Sequence, residues 1–264
     1  MQCDRRKKVR QLFNEIDRCP EKYLIIHYSC EGFYNINDGY TPRITSIAIY
    51  NYDTGQTDSF SIHKKAECLH INFCDIRDHY DELERAMLDD FFKYIKEHPE
   101  FFWIHWNMRD INYGFKAIEH RYSVLGGSPY EIHDDKKIDL SRQLVKCYGE
   151  NYISHPRIEK LLEKNDIKVK DFLSGQQEAD AFKTQEYVKL HMSTLRKVDI
   201  FADILHRAIN NTLQVDSTWK DWYGLSMQGI IDFCRDTWWI QGVWTILSMF
   251  LGALIGIWVE RLLV

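Results

Sequence analysis

From Thr237 to Val259 no charged residue interrupts the chain: Thr-Trp-Trp-Ile-Gln-Gly-Val-Trp-Thr-Ile-Leu-Ser-Met-Phe-Leu-Gly-Ala-Leu-Ile-Gly-Ile-Trp-Val. As a helix rising about 1.5 Å per residue, such a run extends about 34 Å, against a bilayer hydrocarbon core of roughly 30 Å. The expectation is a single transmembrane helix over 237–259, followed by a short tail at 260–264. Ser248, Gly252 and Gly256 recur every four residues within it. Small residues at that spacing let two helices approach closely, so this face is predicted to self-associate into a homo-oligomer.

The rest of the chain narrows the classes. A net charge of -5 argues against a general nucleic-acid coat. The seven cysteines are odd in number, scattered, and never spaced Cys-x-x-Cys. That pattern points to a reducing compartment and away from a disulfide framework or a zinc ribbon. The first residues, Met-Gln-Cys-Asp-Arg-Arg-Lys-Lys, hold no apolar stretch of the signal-peptide kind. The expectation is therefore a cytoplasmic N-terminal domain held to a membrane by its tail.

Residues 1–20 read as an amphipathic helix, with Val9, Leu12, Phe13 and Ile16 at helical spacing and Pro20 ending it. Residues 21–209 read as one domain. Tyr23 to Tyr28 is a buried strand, Ile44 to Tyr50 a second, and Asp58 to His63 a third, returning from a turn at Asp53-Thr54-Gly55. Residues 80–97 carry apolar positions at helical spacing, 101–105 form a strand, and 113–122 form a helix stopped by Gly126-Gly127. Lys137 to Leu140 is a short strand running into a helix; 158–164 and 183–209 are helical. The order predicts an α/β fold, a mixed sheet flanked by helices.

Two strand ends carry candidate chemistry. Ser29-Cys30-Glu31-Gly32 leaves the first strand, and His105-Trp106-Asn107-Met108-Arg109-Asp110 leaves the fourth. Polar groups at adjacent strand ends face one crevice, the usual ligand position in open α/β sheets. Carboxylates converging there would suit two divalent cations and phosphodiester hydrolysis, with hard oxygen ligands favouring magnesium or manganese. Each residue also has a structural use: Asp110 suits capping a helix that opens near Ile111, and His105 suits a hydrogen-bonded core position.

This succession of elements, with these two strand ends, resembles the DEDD exonucleases of the ribonuclease H-like superfamily. The first family motif is Asp-x-Glu; here Glu31 matches and Ser29 stands in place of the Asp. The second motif's step from His to Asp is kept from His105 to Asp110, and Ser154 to Leu162 resembles the short helix before the third motif. The third acid is matched best by Asp199, with Asp180 and Glu186 as alternatives. The family's general base, a His five or a Tyr four residues earlier, is replaced by Thr194 and Leu195; His191 and Tyr187 are out of register.

The resemblance implies a ribonuclease H-like fold with Glu31, Asp110 and Asp199 as catalytic and metal-ligating residues. It implies Mg or Mn as cofactor if active, and Ser29, His105, Asn107, His191 and Lys197 as ligand-binding residues. The missing Asp and base imply a degenerate centre that binds nucleic acid or a nucleotide, with Trp103 and Trp106 available for stacking. The alternatives are a working metal-dependent 3′–5′ exonuclease and a protein-interaction adaptor. Six of the eight tryptophans follow residue 217, so residues 210–236 are predicted to lie along a membrane interface. A ligand-binding domain coupled to a self-associating span is an arrangement suited to bacterial antiphage defence.

Overall fold

The computed structural model describes residues 2–32, 41–224, 227–236 and 241–250. The chain opens with α1 (Gln2–Arg18), whose Val9, Phe13 and Ile16 are buried along one stripe. Strand β1 (Tyr23–Cys30) follows, then β2 (Ile44–Asn51) and β3 (Thr57–Ser61). The hairpin between β2 and β3 is built by Asn51, whose side-chain oxygen accepts from the amides of Asp53 and Thr54 at 3.1 Å. Gly55 takes the left-handed φ of 70° that closes it.

The third strand is shorter than its sequence suggested. Ile62 and His63 open a helix, α2 (Ile62–Cys68), not the strand's last pair. Helix α3 (Tyr80–Glu97) precedes β4 (Phe102–His105), and α4 (Phe115–Val124) precedes β5 (Lys137–Asp139). Then come α5 (Leu140–Tyr148), α6 (Arg157–Lys164), α7 (Gly175–Lys183) and α8 (Tyr187–Ile209). Of the one or two helices expected over 183–209, α8 is one, while Lys183 ends α7, with Gln185 at a φ of 59° between them.

The five strands form one sheet in the order β3-β2-β1-β4-β5. β1 runs antiparallel to β2 and parallel to β4; β5 is parallel to β4. This is the mixed sheet expected, with helices on both faces. Side chains alternate across it. Tyr23 and Ile25 of β1, Ala48 of β2 and Ile104 of β4 face a core shared with α1, α5 and α8. Leu24, Ile26 and Tyr28 face the opposite core, with Leu83, Met87 and Phe91 of α3 and Ile118 of α4. The second core also holds Glu84, fully buried, whose carboxylate accepts from the Ile44 amide at 2.7 Å and from Arg121 at 2.6 and 3.0 Å.

At the C-terminal side the structure corrects the sequence reading. Among the described residues no helix is long and apolar enough to cross a membrane. Of the run Thr237–Val259, residues 241–250 are described and helical. Residues 237–240 and 251–264, including Gly252 and Gly256, lie outside the described residues. The transmembrane, tail-anchored and membrane-located expectations are withdrawn on this finding.

The tryptophan-rich approach has another use. Helix α9 (Trp219–Tyr223) packs on α1 and α5. Arg6 of α1 lays its guanidinium over the Trp222 ring, 4.9 Å from the centroid, and over Tyr223 at 5.3 Å. Arg6 also donates to the Cys147 carbonyl at 3.1 Å. Tyr223 is buried, so part of the aromatic surface assigned to a membrane interface is satisfied by the domain itself. Helix α10 (Met227–Asp236) follows and packs against α9.

Candidate functional site

Where β1 passes under α8, the alternation of the strand turns His27 and Ser29 toward the helix. Ser46 pairs with Ser29 across β1 and β2 and points the same way. Small hydroxyl residues on both strands let the helix come close, and α8 answers with Thr194. The Thr194 hydroxyl lies 2.5 Å from Ser29 Oγ and 2.6 Å from Ser46 Oγ, and donates to the Leu190 carbonyl at 2.9 Å. One turn along, Lys197 Nζ sits 2.7 Å from Glu178 Oε1 of α7. The same carboxylate oxygen accepts from Ser193 at 2.9 Å and from Ser29 at 3.3 Å. Ser29, Ser46, Ser193, Thr194, Glu178 and Lys197 are all buried.

This ion pair is the electrostatic centre of the crevice. Its influence reaches His27, whose buried imidazole is held well below its ordinary pKa by desolvation first and by the Lys197 charge second. His27 Nδ1 is 3.3 Å from the Tyr113 hydroxyl, and its ring meets Phe201 edge-on. Cys30, on the far face of β1, has its thiol pushed up by burial and then by the nearby Glu178 and Glu31 carboxylates. A thiol so placed is a packing group rather than a nucleophile.

Glu31 lies just past β1, half-buried, its amide donating to the Arg43 carbonyl at 2.9 Å. Gly32 follows with a φ of 77°, and a Cβ there would stand 3.2 Å from Ala179, so α7 abuts the exit of β1.

The second strand end closes on itself. His105 is buried and its Nδ1 accepts from the Met108 amide at 3.1 Å. Burial first, with the Arg109 charge adding to it, drives its pKa down to about 4 against the opposing pull of Asp139. Asn107 takes a left-handed φ of 56° and accepts from Arg109 Nη2 at 2.7 Å. Asp110 accepts from the Asn112 amide at 2.8 Å, while its own amide donates to the Tyr113 carbonyl at 3.1 Å. Asp110 thus holds an exposed turn, a common use of Asp. A Cβ on Gly114 would lie 2.6 Å from the Met108 backbone, so this close approach admits only glycine.

The acid that the turn does gather is Asp139, overlooked in the sequence reading. It pairs with Arg109 Nε at 2.6 Å, accepts from the Asn107 amide at 3.3 Å, and caps α5 through the Arg142 amide at 3.4 Å. Its signal was present: an Asp at the junction of a short strand and a helix.

The remaining predicted residues are dispersed. Asp199 lies on the outer side of α8, about 140° around the helix from Thr194, in a cleft with Asp17, Tyr50, Tyr52 and Asp203. That cleft lies at the opposite end of β1 from Glu31. His191 faces α2 and β3, its Nε2 3.4 Å from Ser59 Oγ and its ring 5.1 Å from that of His63. Burial, then the Lys64 and His63 charges, bring its pKa down to about 3. Asp180 is exposed and bound by Gln176; Glu186 is exposed and bound by Thr184 and Lys189. Ser248 is exposed and donates to the Thr245 carbonyl at 2.8 Å.

The residues present do not fit a two-metal centre. Such a centre needs converging carboxylates, and among the described residues no group of three or more His, Cys, Asp or Glu side chains is placed to hold a metal ion. Ser29 spends its hydroxyl on Thr194 and Glu178, and the charge beside that carboxylate is already supplied by Lys197. Trp103 and Trp106 are also committed: both are buried, and Trp106 stacks on Phe201 at 5.4 Å. Comparison of the chain with family models, with curated proteins and with solved structures finds no match.

Proposed function

We propose that the chain is a non-catalytic α/β module, related in layout to the ribonuclease H-like nucleases, that works by assembly with further copies of itself. The observation that carries the first half is the buried Lys197–Glu178 pair, set among the hydroxyls of Ser29, Ser193 and Thr194. An ammonium in that position repels a divalent cation and neutralises a carboxylate that could have bound one. What supports the layout is the mixed sheet in which β4 runs parallel to β1, with His105 opposite Ile26.

The second half rests on the C-terminal helices. Met227, Ile230 and Ile231 are exposed on one side of α10, and Val243, Trp244, Ile246, Leu247, Met249 and Phe250 are exposed on the helical stretch 241–250. Thr245 and Ser248 return their hydroxyls to the helix's own carbonyls at 2.8 Å. The stretch therefore offers apolar surface with little polar demand. An apolar surface of this kind calls for a partner, and identical copies are the commonest partners of soluble chains.

Incubation of the full chain with labelled single-stranded DNA and RNA and manganese is expected to leave both intact. Metal-dependent cleavage that disappears in Asp110→Ala would overturn the non-catalytic reading. Sedimentation of the full chain should show an oligomer that Leu247→Glu reduces to monomer without lowering its Tm. A wild-type chain that sediments as a monomer at micromolar concentration excludes the assembly reading.

A further inference from the structure

Where β3 ends against α8, the sheet meets a short helix through a polar joint. Ser59 and Ser61 lie two residues apart on one face of β3. Ser61 stands opposite Ser46, whose hydroxyl meets Thr194 of α8, so this face looks toward α8. The chain then enters α2 at Ile62. His63 of α2 and His191 of α8 meet edge to face there, with ring centroids 5.1 Å apart. Each is at least nine-tenths buried. Among the described residues neither Nδ1 has a hydrogen-bond partner, and nor does Ser61 Oγ. Buried polar atoms left in that state weaken the packing around them, and here they collect at a joint between two helices.

The charges around the two rings favour their neutral forms. Lys64 Nζ of α2 donates to Ser59 Oγ at 2.9 Å, and that oxygen lies 3.4 Å from His191 Nε2. An ammonium therefore stands where a counter-charge for a protonated His191 would be needed. From β3 the joint receives hydroxyls. From α3, Asp90 is taken by Lys65. Burial lowers His63, with Glu67 of α2 opposing and Lys64 assisting. Burial, Lys64 and His63 all act downward on His191. Helix α2 itself is lightly anchored: of its seven residues, Ile62, His63 and Ala66 are buried. It runs out at the exposed Leu69 and at His70, which takes a left-handed φ of 57°.

We propose that the His63–His191 contact is an acid-released latch: a proton taken up by either ring frees α2 from α8 while the sheet and both cores stay folded. Opening uncovers Ile62 and Ala66. It also shifts one wall of the apolar cleft that Phe73, in the 3-10 turn Phe73–Asp75 after α2, forms with Val188 and Met192 of α8. In the open form the rings bind protons with ordinary affinity, near pKa 6.5, whereas closed His191 is held at about 3. Protons thus favour the open form, and lowering the pH from 7 to 5 should raise its population about 25-fold through His191 alone.

The test is amide hydrogen exchange of the full chain at pH 7 and pH 5, corrected for the intrinsic exchange rate. It is run on the wild type, on His191→Gln and on the double variant His63→Gln/His191→Gln, after thermal melts at pH 7 show which variants are folded. Residues 62–69 of the wild type should lose protection about 25-fold at pH 5 while β1 and α3 keep theirs. The loss should be smaller in His191→Gln and absent in the double variant. Protection of 62–69 that is unchanged between the two pH values overturns the proposal. So does a loss shared equally with β1 and α3, which is global unfolding, or a loss that persists in the double variant. If the double variant does not fold, the contrast between α2 and β1 in the wild type decides alone.

Discussion

Among the described residues each face of the sheet buries one ion pair, Glu84–Arg121 and Glu178–Lys197, and the two are made differently. Behind α3, Glu84 is clamped by the forked guanidinium of Arg121 and by the Ile44 amide, so the pair fixes both a helix and the start of β2. Behind α8, Glu178 meets the single ammonium of Lys197 and otherwise only hydroxyls. The first is a guanidinium fork closing on one carboxylate oxygen, Oε2, in an apolar core, while Oε1 takes the Ile44 amide, so that each acceptor is directed at a different element. The second is a point charge in a polar crevice where α/β sheets usually take their ligands. The difference separates a charge pair that ties elements of an apolar core together from one set among hydroxyls between β1, α7 and α8.

The largest effect should come from breaking the first pair. Arg121→Met leaves Glu84 buried with its charge uncompensated, and should cost about 3–5 kcal/mol in urea unfolding; a loss below about 1 kcal/mol would show that Glu84 is carried neutral. Lys197→Met should cost somewhat less, about 2–4 kcal/mol, because the Glu178 carboxylate retains the Ser29 and Ser193 hydroxyls. Adding Glu178→Gln to Lys197→Met should restore most of that loss. Additivity of the two substitutions would break the account of the crevice as a pair.

A third test uses pH. His105 and His191 have pKa values of about 4 and about 3 when folded, against about 6.5 when unfolded. The unfolded chain thus binds more protons across that interval, so stability is full above about pH 6.5 and falls as the pH drops toward the folded values. His105 alone should account for on the order of 3 kcal/mol of this loss. His105→Gln should flatten the stability curve between pH 6 and 4, and an unaltered slope would contradict the assignment. The smallest effect is expected for Arg6→Ala. Losing its ring contacts with Trp222 and Tyr223 should cost about 1 kcal/mol and speed amide exchange in α9 before the rest of the domain; uniform exchange would refute the docking described for that helix.

Much of the sheet was legible because buried strands announce themselves as short apolar runs: Tyr23 to Tyr28, Ile44 to Tyr50 and Phe101 to Ile104 are all of this kind. Helices α2 and α7 were not legible as such. Each is short, and only Ile62, His63 and Ala66 in α2, and Glu178 and Ala181 in α7, are buried. One angular step separates the candidate residues of α8. Val198, Phe201 and Leu205 set the inner face of α8, and the same periodicity places Thr194 and Lys197 inward and Asp199 outward. Motif spacing alone, which selects Asp199, carries no information about which side of the helix a residue takes. The C-terminal run was judged by its uncharged apolar length, and of it only residues 241–250 are described.

The Lys197 ammonium has one more consequence. A centre that gathers its cation from solution is assembled only when that ion is supplied, and its order varies with what the surroundings provide. Here the cation is covalently part of the chain and comes into place with α8. The crevice is therefore complete once folding ends, and its shape should be the same in a chelator as in millimolar magnesium. Under the assembly proposed above, such constancy means that every copy presents the same surface whatever the local ion supply.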